Sequence, residues 1–267
     1  MSKEFALITG ASKGLGKAFA LEISKRNIDT ILVGLPNEGL SEFTTKLKHD
    51  YNVNSVYHET DLTIKDNVIA LAKWVNQNYA VNILINNAGA GGSKRFMEAD
   101  VHYIDMIIQL NVMLTSVLTH QMLPNLIKRS KSFILNVSSM AAFSPMGYKT
   151  VYPASKTFVY NCTRGLQQEL KDTSVFVSVV HPGPMNTKSD SAERLDQHGF
   201  LAKMALMKPE KVAMISIRQL FKKDAFIMLN KANGFNYLLM KIIPTFLKLP
   251  LITRAMKREV EIEERLS

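Results

Sequence analysis

Tyr152 and Lys156 stand four residues apart in the stretch FILNVSSMAAFSPMGYKTVYPASK, Phe133 to Lys156, with the serine pair Ser138 and Ser139 ahead of them. Residues i and i+4 of a helix share a face, so the Lys156 ammonium comes within reach of the Tyr152 hydroxyl. A free phenol holds its proton up to a pKa of about 10. A neighbouring cation favours the phenolate and lowers that value. Bringing it to about 7 or 8 takes roughly 3 to 4 kcal/mol of differential stabilisation, at about 1.36 kcal/mol per unit. A phenol tuned in this way is a usable proton shuttle.

A second stretch with chemical potential, LITGASKGLGKAFALEI, sets Gly10, Gly14 and Gly16 between an apolar run and a helix-period segment. Glycines at such a turn let the backbone approach a pyrophosphate, whose charge the free N–H groups of the helix N-terminus stabilise. The ribose of such a nucleotide lies beside the end of the second strand, where a carboxylate selects a free 2′-hydroxyl. Here that stretch is ILVGLPNEG, and Gly34 and Leu35 offer no carboxylate, whereas Lys13 of the glycine loop supplies a positive charge. NADP(H) is therefore expected in preference to NAD(H). The alternative for Lys13 is a solvated loop lysine.

These pieces need a scaffold that brings them together. Short aliphatic or β-branched runs at Phe5 (FALIT), Thr30 (TILVG), Ser55 (SVYHET), Asn82 (NILIN), Ser132 (SFILNV) and Val175 (VFVSVV) read as strands. Helix-period segments lie between them, at Lys17 to Lys25, Leu40 to His49, Lys65 to Gln77, Ile104 to Ile127 and Tyr152 to Leu170. Alternation of this kind predicts an α/β, doubly wound parallel sheet with helices on both faces. A weaker strand, AFIMLN, follows Asp224.

With 267 residues, 46% hydrophobic and 21% charged, the chain suffices for one large core, and a single domain over 1–267 is expected. The formal net charge is +10, but basic and acidic residues are interspersed. No nucleic-acid partner is expected on that ground, and an anionic small molecule is a sufficient explanation. The lone cysteine, Cys162, excludes an intramolecular disulfide and leaves no cysteine cluster for a metal, which fits a cytoplasmic setting. Met1 leads almost directly into the apolar run from Phe5, so no export signal is expected. The longest apolar region, GFNYLLMKIIPTFLKLPLI from Gly234, is broken by Lys241, Pro244, Lys248 and Pro250, which disfavours a spanning helix.

Four separated elements, TGASKGLG at Thr9, NNAG at Asn86, the Ser139–Tyr152–Lys156 set and HPGPMNT at His181, appear in the order of the short-chain dehydrogenase/reductase family, which the chain resembles over most of its length. The resemblance implies a single Rossmann-type domain that transfers hydride between a nicotinamide and a carbonyl or alcohol. In it Tyr152 is the general acid and base, Ser139 hydrogen-bonds the reacting oxygen, and Lys156 also binds the nicotinamide ribose. The cationic oxidised nicotinamide would help to lower the phenol. Asn111 would hold a water that links Lys156 to solvent. Ser12, Lys13 and Leu15 join the three glycines as cofactor-binding residues, Asp61 and Leu62 match the adenine contact, and Asn87, Ala88 and Gly89 pass close to the cofactor. Pro182 and Gly183 form a turn, and Met185 with Thr187 would hold the carboxamide.

Alternatives for several of these residues remain at this level. Asp61 either contacts adenine or caps the following helix. Pro153 stands where the family commonly has a small residue, in a first helical turn that tolerates proline. His181 is expected to be structural, because it has no metal-ligand companions, and Ser138 is expected to hold backbone. The segment at about 188–208 corresponds to the part that covers substrate in the family, and Phe200, Leu201, Met204, Leu206 and Met207 form either a hydrophobic lid, core packing or an oligomer contact. The apolar and basic appendage at about 234–267 either packs or makes weak peripheral membrane contact. The expected substrate is an apolar ketone, aldehyde or secondary alcohol, lipid-derived or steroid-like; the competing function is a non-catalytic NADP(H)-binding sensor or scaffold. By resemblance the long helices carrying Asn111 and Lys156 pair between subunits, giving a homodimer or homotetramer.

Overall fold

The structure, a computed structural model, describes residues 4–185 and 206–266, with 262–266 described by backbone alone. Strands β1 (Phe5–Thr9), β2 (Asp29–Gly34), β3 (Ser55–Glu59), β4 (Val81–Asn86), β5 (Ser132–Val137), β6 (Val175–Val180) and β7 (Phe226–Ile227) form one sheet in the order β3-β2-β1-β4-β5-β6-β7. Every pairing is parallel. Each position of β1, β2 and β5 is buried, as their unbroken apolarity requires when helices cover both faces. The edge strand β3 alternates, because one side of SVYHE meets solvent.

Helices α1 (Gly14–Ser24), α2 (Leu40–Tyr51) and α7 (Pro209–Phe221) cover one face, and α3 (Lys65–Asn78) and α5 (Leu114–Ile127) cover the other. Side chains alternate accordingly: Ala6 and Ile8 enter the first core, Phe5 and Leu7 the second. The expected helix at Ile104 to Ile127 is longer and interrupted. It comprises α4 (Val101–Ile108), a π-helical turn (Gln109–Met113) and α5. This stretch is long and apolar enough to cross a membrane, with mean hydropathy 1.4. Ile107, Leu114, Leu118, Met122 and Leu126 are nonetheless buried, and the last four pack in the second core.

Helix α6 (Val151–Glu169) follows β5, and Pro153 falls in its first turn, where a missing N–H costs no helical hydrogen bond. The strand expected at AFIMLN shrinks to Phe226 and Ile227. Beyond it the apolar tail forms α8 (Lys231–Ile242) and α9 (Thr245–Leu266), separated at Pro244. The sheet order reverses direction between β1 and β4. Ligands of such sheets bind outside the strand carboxyl ends at that point, which is where Thr9, Asn86 and Val137 end their strands.

Candidate active site

The glycine turn between β1 and α1 is built by close approach. Gly14 has φ +53°, a left-handed conformation, and a Cβ on Gly16 would stand 1.9 Å from the Gly10 carbonyl oxygen. Asn87 fastens this turn to the end of β4: its Nδ2 donates to Thr9 O at 2.9 Å and Gly10 O at 3.3 Å. In return the Thr9 hydroxyl accepts the Asn87 and Ala88 N–H groups at 3.0 and 3.1 Å. No side chain caps the N-terminus of α1, and its first turn has no acidic residue. Uncapped donors, a cradle without side chains and small neighbours suit an anionic pyrophosphate.

The strand ends are held together by a buried polar chain. Asn86 Nδ2 donates to Thr119 Oγ1 and to Asn136 Oδ1, both at 2.8 Å, and Asn136 Nδ2 donates to Thr163 Oγ1 at 2.9 Å. This chain links α5, β4, β5 and α6, the elements that carry the reactive residues.

Lys156 is buried and donates from Nζ to Val137 O at 3.0 Å. Its Nζ lies 5.9 Å from the centre of the Tyr152 ring. Burial lowers the lysine from its ordinary value to about 8, so at neutral pH most of it is still protonated. Tyr152 departs from the sequence-based expectation. Burial raises its pKa above the ordinary 10, and a hydrogen bond with the Ser139 hydroxyl pulls the other way without prevailing. The expected lowering by Lys156 is thus not produced by the chain's own groups, because desolvating the phenolate costs more than they return. Ser139 is extended and caps a short 3-10 turn, Met140–Phe143, accepting the Ala141 N–H at 3.1 Å.

Asn111 sits in the π-helical turn and is fully buried. Its Oδ1 accepts the Ala90 N–H at 3.0 Å, while its Nδ2 donates to Ala90 O at 2.9 Å and Ser155 Oγ at 2.8 Å. Ser155 in turn donates to Tyr152 O at 2.7 Å. The amide is therefore engaged with protein on both sides, tying the loop after β4 to the first turn of α6.

Ser138 holds backbone, as expected: its Oγ donates to Lys156 O at 2.8 Å. His181 is completely buried among Phe143, Tyr160 and Phe226, with ring centres 4.6, 5.2 and 4.9 Å away. Its Nδ1 meets the Ser139 carbonyl oxygen at 3.3 Å and acts as donor there, so it fixes the backbone behind the serine. Burial lowers this imidazole from 6.5 to about 4. The unfolded chain then binds a proton that the folded chain refuses between those values. The contribution of this histidine to stability is expected to be constant above about pH 6.5 and to fall on acidification towards pH 4, by up to about 1.4 kcal/mol per unit. Denaturant unfolding across that range, compared with His181→Asn, checks it: the variant should lose this component of the slope.

A cleft of about 200 Å³ collects Leu15, Asn87, Gly89, Ser139, Tyr152, Lys156, Pro182, Gly183 and Met185 from the sequence-based set. Lys13 and Asp61 lie away from it. Asp61 Oδ1 accepts the Thr63 N–H at 2.9 Å and the Thr63 hydroxyl at 2.7 Å, which is the turn before α3, and Leu62 is in the second core. Met185 forms an isolated bridge with Met207, which is buried in the first core and so acts in packing. Thr187, Phe200, Leu201 and Met204 lie outside the described residues.

Two neighbours of the site have no expectation behind them. A Cβ on Gly91 would come within 3.0 Å of the Tyr152 ring, so this glycine gives the ring its space; the run GAGG after NNA is its signal in the sequence. Glu38 bears on the cofactor. Its carboxylate accepts from the Ser12 hydroxyl and forms an ion pair with Lys13 Nζ at 2.7 Å. These contacts, the Lys13 bond first, hold Glu38 below its ordinary carboxylate value. A carboxylate therefore does stand beside the glycine loop, supplied three residues beyond Leu35 by the turn into α2.

Residues 4–198 match the model of the short chain dehydrogenase family. An uncharacterized oxidoreductase of Staphylococcus epidermidis is 31% identical over 199 residues, covering 73% of this chain and 85% of that one. A very-long-chain 3-oxoacyl-CoA reductase of Anas platyrhynchos is 32% identical over 188 residues, 69% of this chain and 60% of the relative. Among solved structures, a short-chain dehydrogenase from Sphingobium yanoikuyae in complex with NADPH superposes with a TM-score of 0.75 at 24% identity, over 90% of this chain and 96% of that one.

Proposed function

Because the chain belongs to the short-chain dehydrogenase family and is an oxidoreductase of the carbonyl and CH–OH class, we propose that it passes hydride between a nicotinamide dinucleotide and an apolar carbonyl or alcohol, with Tyr152 as its proton donor and acceptor. The observation that carries this reading is the single cleft in which Ser139, Tyr152 and Lys156 meet beside Asn87, Gly89 and Leu15 of the glycine-turn side. When bound, the dinucleotide supplies the hydride and, once oxidised, a positive charge. In the reducing direction Tyr152 gives its proton to the carbonyl oxygen as hydride reaches carbon, and solvent later restores the proton. Ser139 hydrogen-bonds the same oxygen and fixes its distance. Lys156, held by Val137 O, keeps a cation beside the developing phenolate. Oxidation reverses each transfer. The apolar substrate class rests on the similarity to a very-long-chain 3-oxoacyl-CoA reductase, of which this chain spans 60%.

NADP(H) is the proposed cofactor, bound with its 2′-phosphate on Ser12 and Lys13 after Glu38 swings away. Glu38 also favours a second reading, in which it accepts the 2′-hydroxyl of NAD(H) where it stands. Titration of intrinsic NADPH and NADH fluorescence with wild type and Glu38→Gln separates the two. The first reading expects tighter NADPH binding, improved about tenfold by the substitution as one like charge is removed at short range, and little change for NADH. Preference for NADH, weakened by the substitution, selects the second. Pairing of subunits through α5 and α6, and a cytoplasmic setting, complete the proposal.

A further inference from the structure

The face of α8 that meets the domain and the face that does not are cleanly divided. Asn233 and Tyr237 point inward: Asn233 is fully buried, and the Tyr237 ring packs 4.6 Å from Phe143 and 5.2 Å from Phe226. On the opposite side Lys231, Phe235, Leu238 and Ile242 follow one another at i, i+4, i+7 and i+11, all exposed. Helix α9 repeats the spacing. Leu247, Leu251, Arg254 and Arg258 lie at i, i+4, i+7 and i+11, again all exposed, while Thr253 and Val260 face the protein. The three apolar residues of the first stripe, Phe246, Leu247 and Leu251 are each more than half exposed, so six large apolar side chains meet solvent on these two helices and not one stray one.

Charge decides what such a surface fits. Residues 231–258 contain six Lys or Arg and no Asp or Glu. One of the six, Lys248, turns inward and caps Met240 O. The other five are exposed. An exposed apolar stripe with exposed cations beside and beyond it, and no carboxylate among residues 231–258, suits a surface that offers both acyl chains and anionic headgroups. A second copy of this chain applied to the same face would add cations to cations with no carboxylate among residues 231–258 to pair with them, and that repulsion argues against self-pairing here.

We propose that α8 and the exposed face of α9 as far as Arg258 dock on the surface of an anionic lipid bilayer, with Phe235, Leu238, Ile242 and Leu251 entering the acyl boundary and Lys231, Arg254 and Arg258 meeting phosphates. The other face of α9 meets the catalytic rim. Glu259 accepts from Ser93 Oγ at 2.8 Å and pairs with Lys149 Nζ at 2.8 Å, and Thr253 lies against Gly147. Docking therefore sets the loops on either side of Tyr152 beside the bilayer, where an apolar substrate is concentrated.

Vesicle flotation tests the docking without reference to dinucleotide or turnover, so its outcome is separate from that of the proposed reaction. Wild-type protein should float with vesicles of phosphatidylcholine mixed with phosphatidylglycerol roughly tenfold better than with phosphatidylcholine alone, and less well in high salt. Leu238→Glu/Ile242→Glu should lose that binding about tenfold, and Arg254→Glu/Arg258→Glu should lose the lipid-charge dependence. All four positions are exposed, and unchanged melting temperature and near-ultraviolet circular dichroism verify the fold. Equal flotation with both lipids, no flotation of wild type, or variants that float like wild type would overturn the proposal. So would an apolar-face variant that turns a wild-type dimer into a monomer in size-exclusion light scattering, since the face would then be a contact between copies.

Discussion

Tyr152→Phe is expected to reduce turnover by about 10²- to 10⁴-fold, the range that a positioned acid or base contributes, while NAD(P)H affinity stays within a few-fold of wild type. The ring keeps its place against Gly91 and near Lys156, so the change removes the hydroxyl, with its proton and its bond to Ser139, and leaves the ring packing intact. Ser139 retains its bond from the Ala141 N–H. Steady-state NAD(P)H oxidation with a panel of ketones, set beside fluorescence titration of the cofactor, reads both quantities. A variant that keeps a tenth or more of its activity would mean that the proton comes from another group. The direction of the Tyr152 shift adds a spectroscopic arm. Burial holds the free protein's phenol protonated beyond its ordinary range, and a bound oxidised nicotinamide should draw its ionisation, followed by absorbance at alkaline pH, to lower pH. Tyr152→Phe should lack that component.

The second large effect is expected at Gly16. A Cβ there would stand 1.9 Å from the Gly10 carbonyl oxygen and 2.6 Å from Asn87 Nδ2, and a backbone carbonyl cannot rotate aside as a long side chain can. Overpacking of this kind costs on the order of 1–3 kcal/mol, and here the distortion falls on the turn that must cradle pyrophosphate. Gly16→Ala should weaken dinucleotide binding by at least about 100-fold, near the upper end of that range, and leave the far-ultraviolet spectrum of the sheet unchanged. Gly14→Ala is the informative comparison. Nothing lies within 4 Å of its Cβ, so the penalty is only that of a left-handed backbone, about 1 kcal/mol. Calorimetric titration that finds the two variants equally impaired would sink the close-approach account.

The inner strands were legible because strands buried on both faces are largely apolar, as FALIT and SFILNV are, and the edge strand SVYHE was legible from its β-branched and aromatic residues. AFIMLN misled for the complementary reason. Its apolar side chains pack, but only Phe226 and Ile227 find a strand to pair with at the sheet edge. The π-helical turn at Gln109–Met113 left no trace, since the residues on either side keep a helical period through it.

Within the site, residues inside a motif were found, whereas Gly91, just past one, and Glu38, returned by a turn, were not. Glu38 reaches Ser12 and Lys13 only because Asn37 at φ +64° and Gly39 at φ +75° fold the chain back after β2. The expectation about ribose selectivity stopped at Leu35 and so missed it. The direction of the tyrosine's shift in the protein without cofactor was hidden for another reason. A spacing of four residues reveals the ammonium, but desolvation is a property of everything packed around the hydroxyl, and that is set by β4, β5 and the loop at Gly91 together. Asn111 was identified, whereas its bonds to Ala90 and Ser155 depend on three elements meeting.

Glu259 lies sixty-one residues past the last position matched by the family pattern, which ends at residue 198, yet it grips Ser93 and Lys149 inside that pattern. The mouth of the cleft is therefore framed from both sides of that limit: a reaction centre within the family pattern, and a strap from beyond it that holds the doorway. Selection can reshape the doorway without touching the chemistry. A chimera that borrowed this tail for a cousin without a matching serine and lysine would strand an acid where the strap needs its buckle.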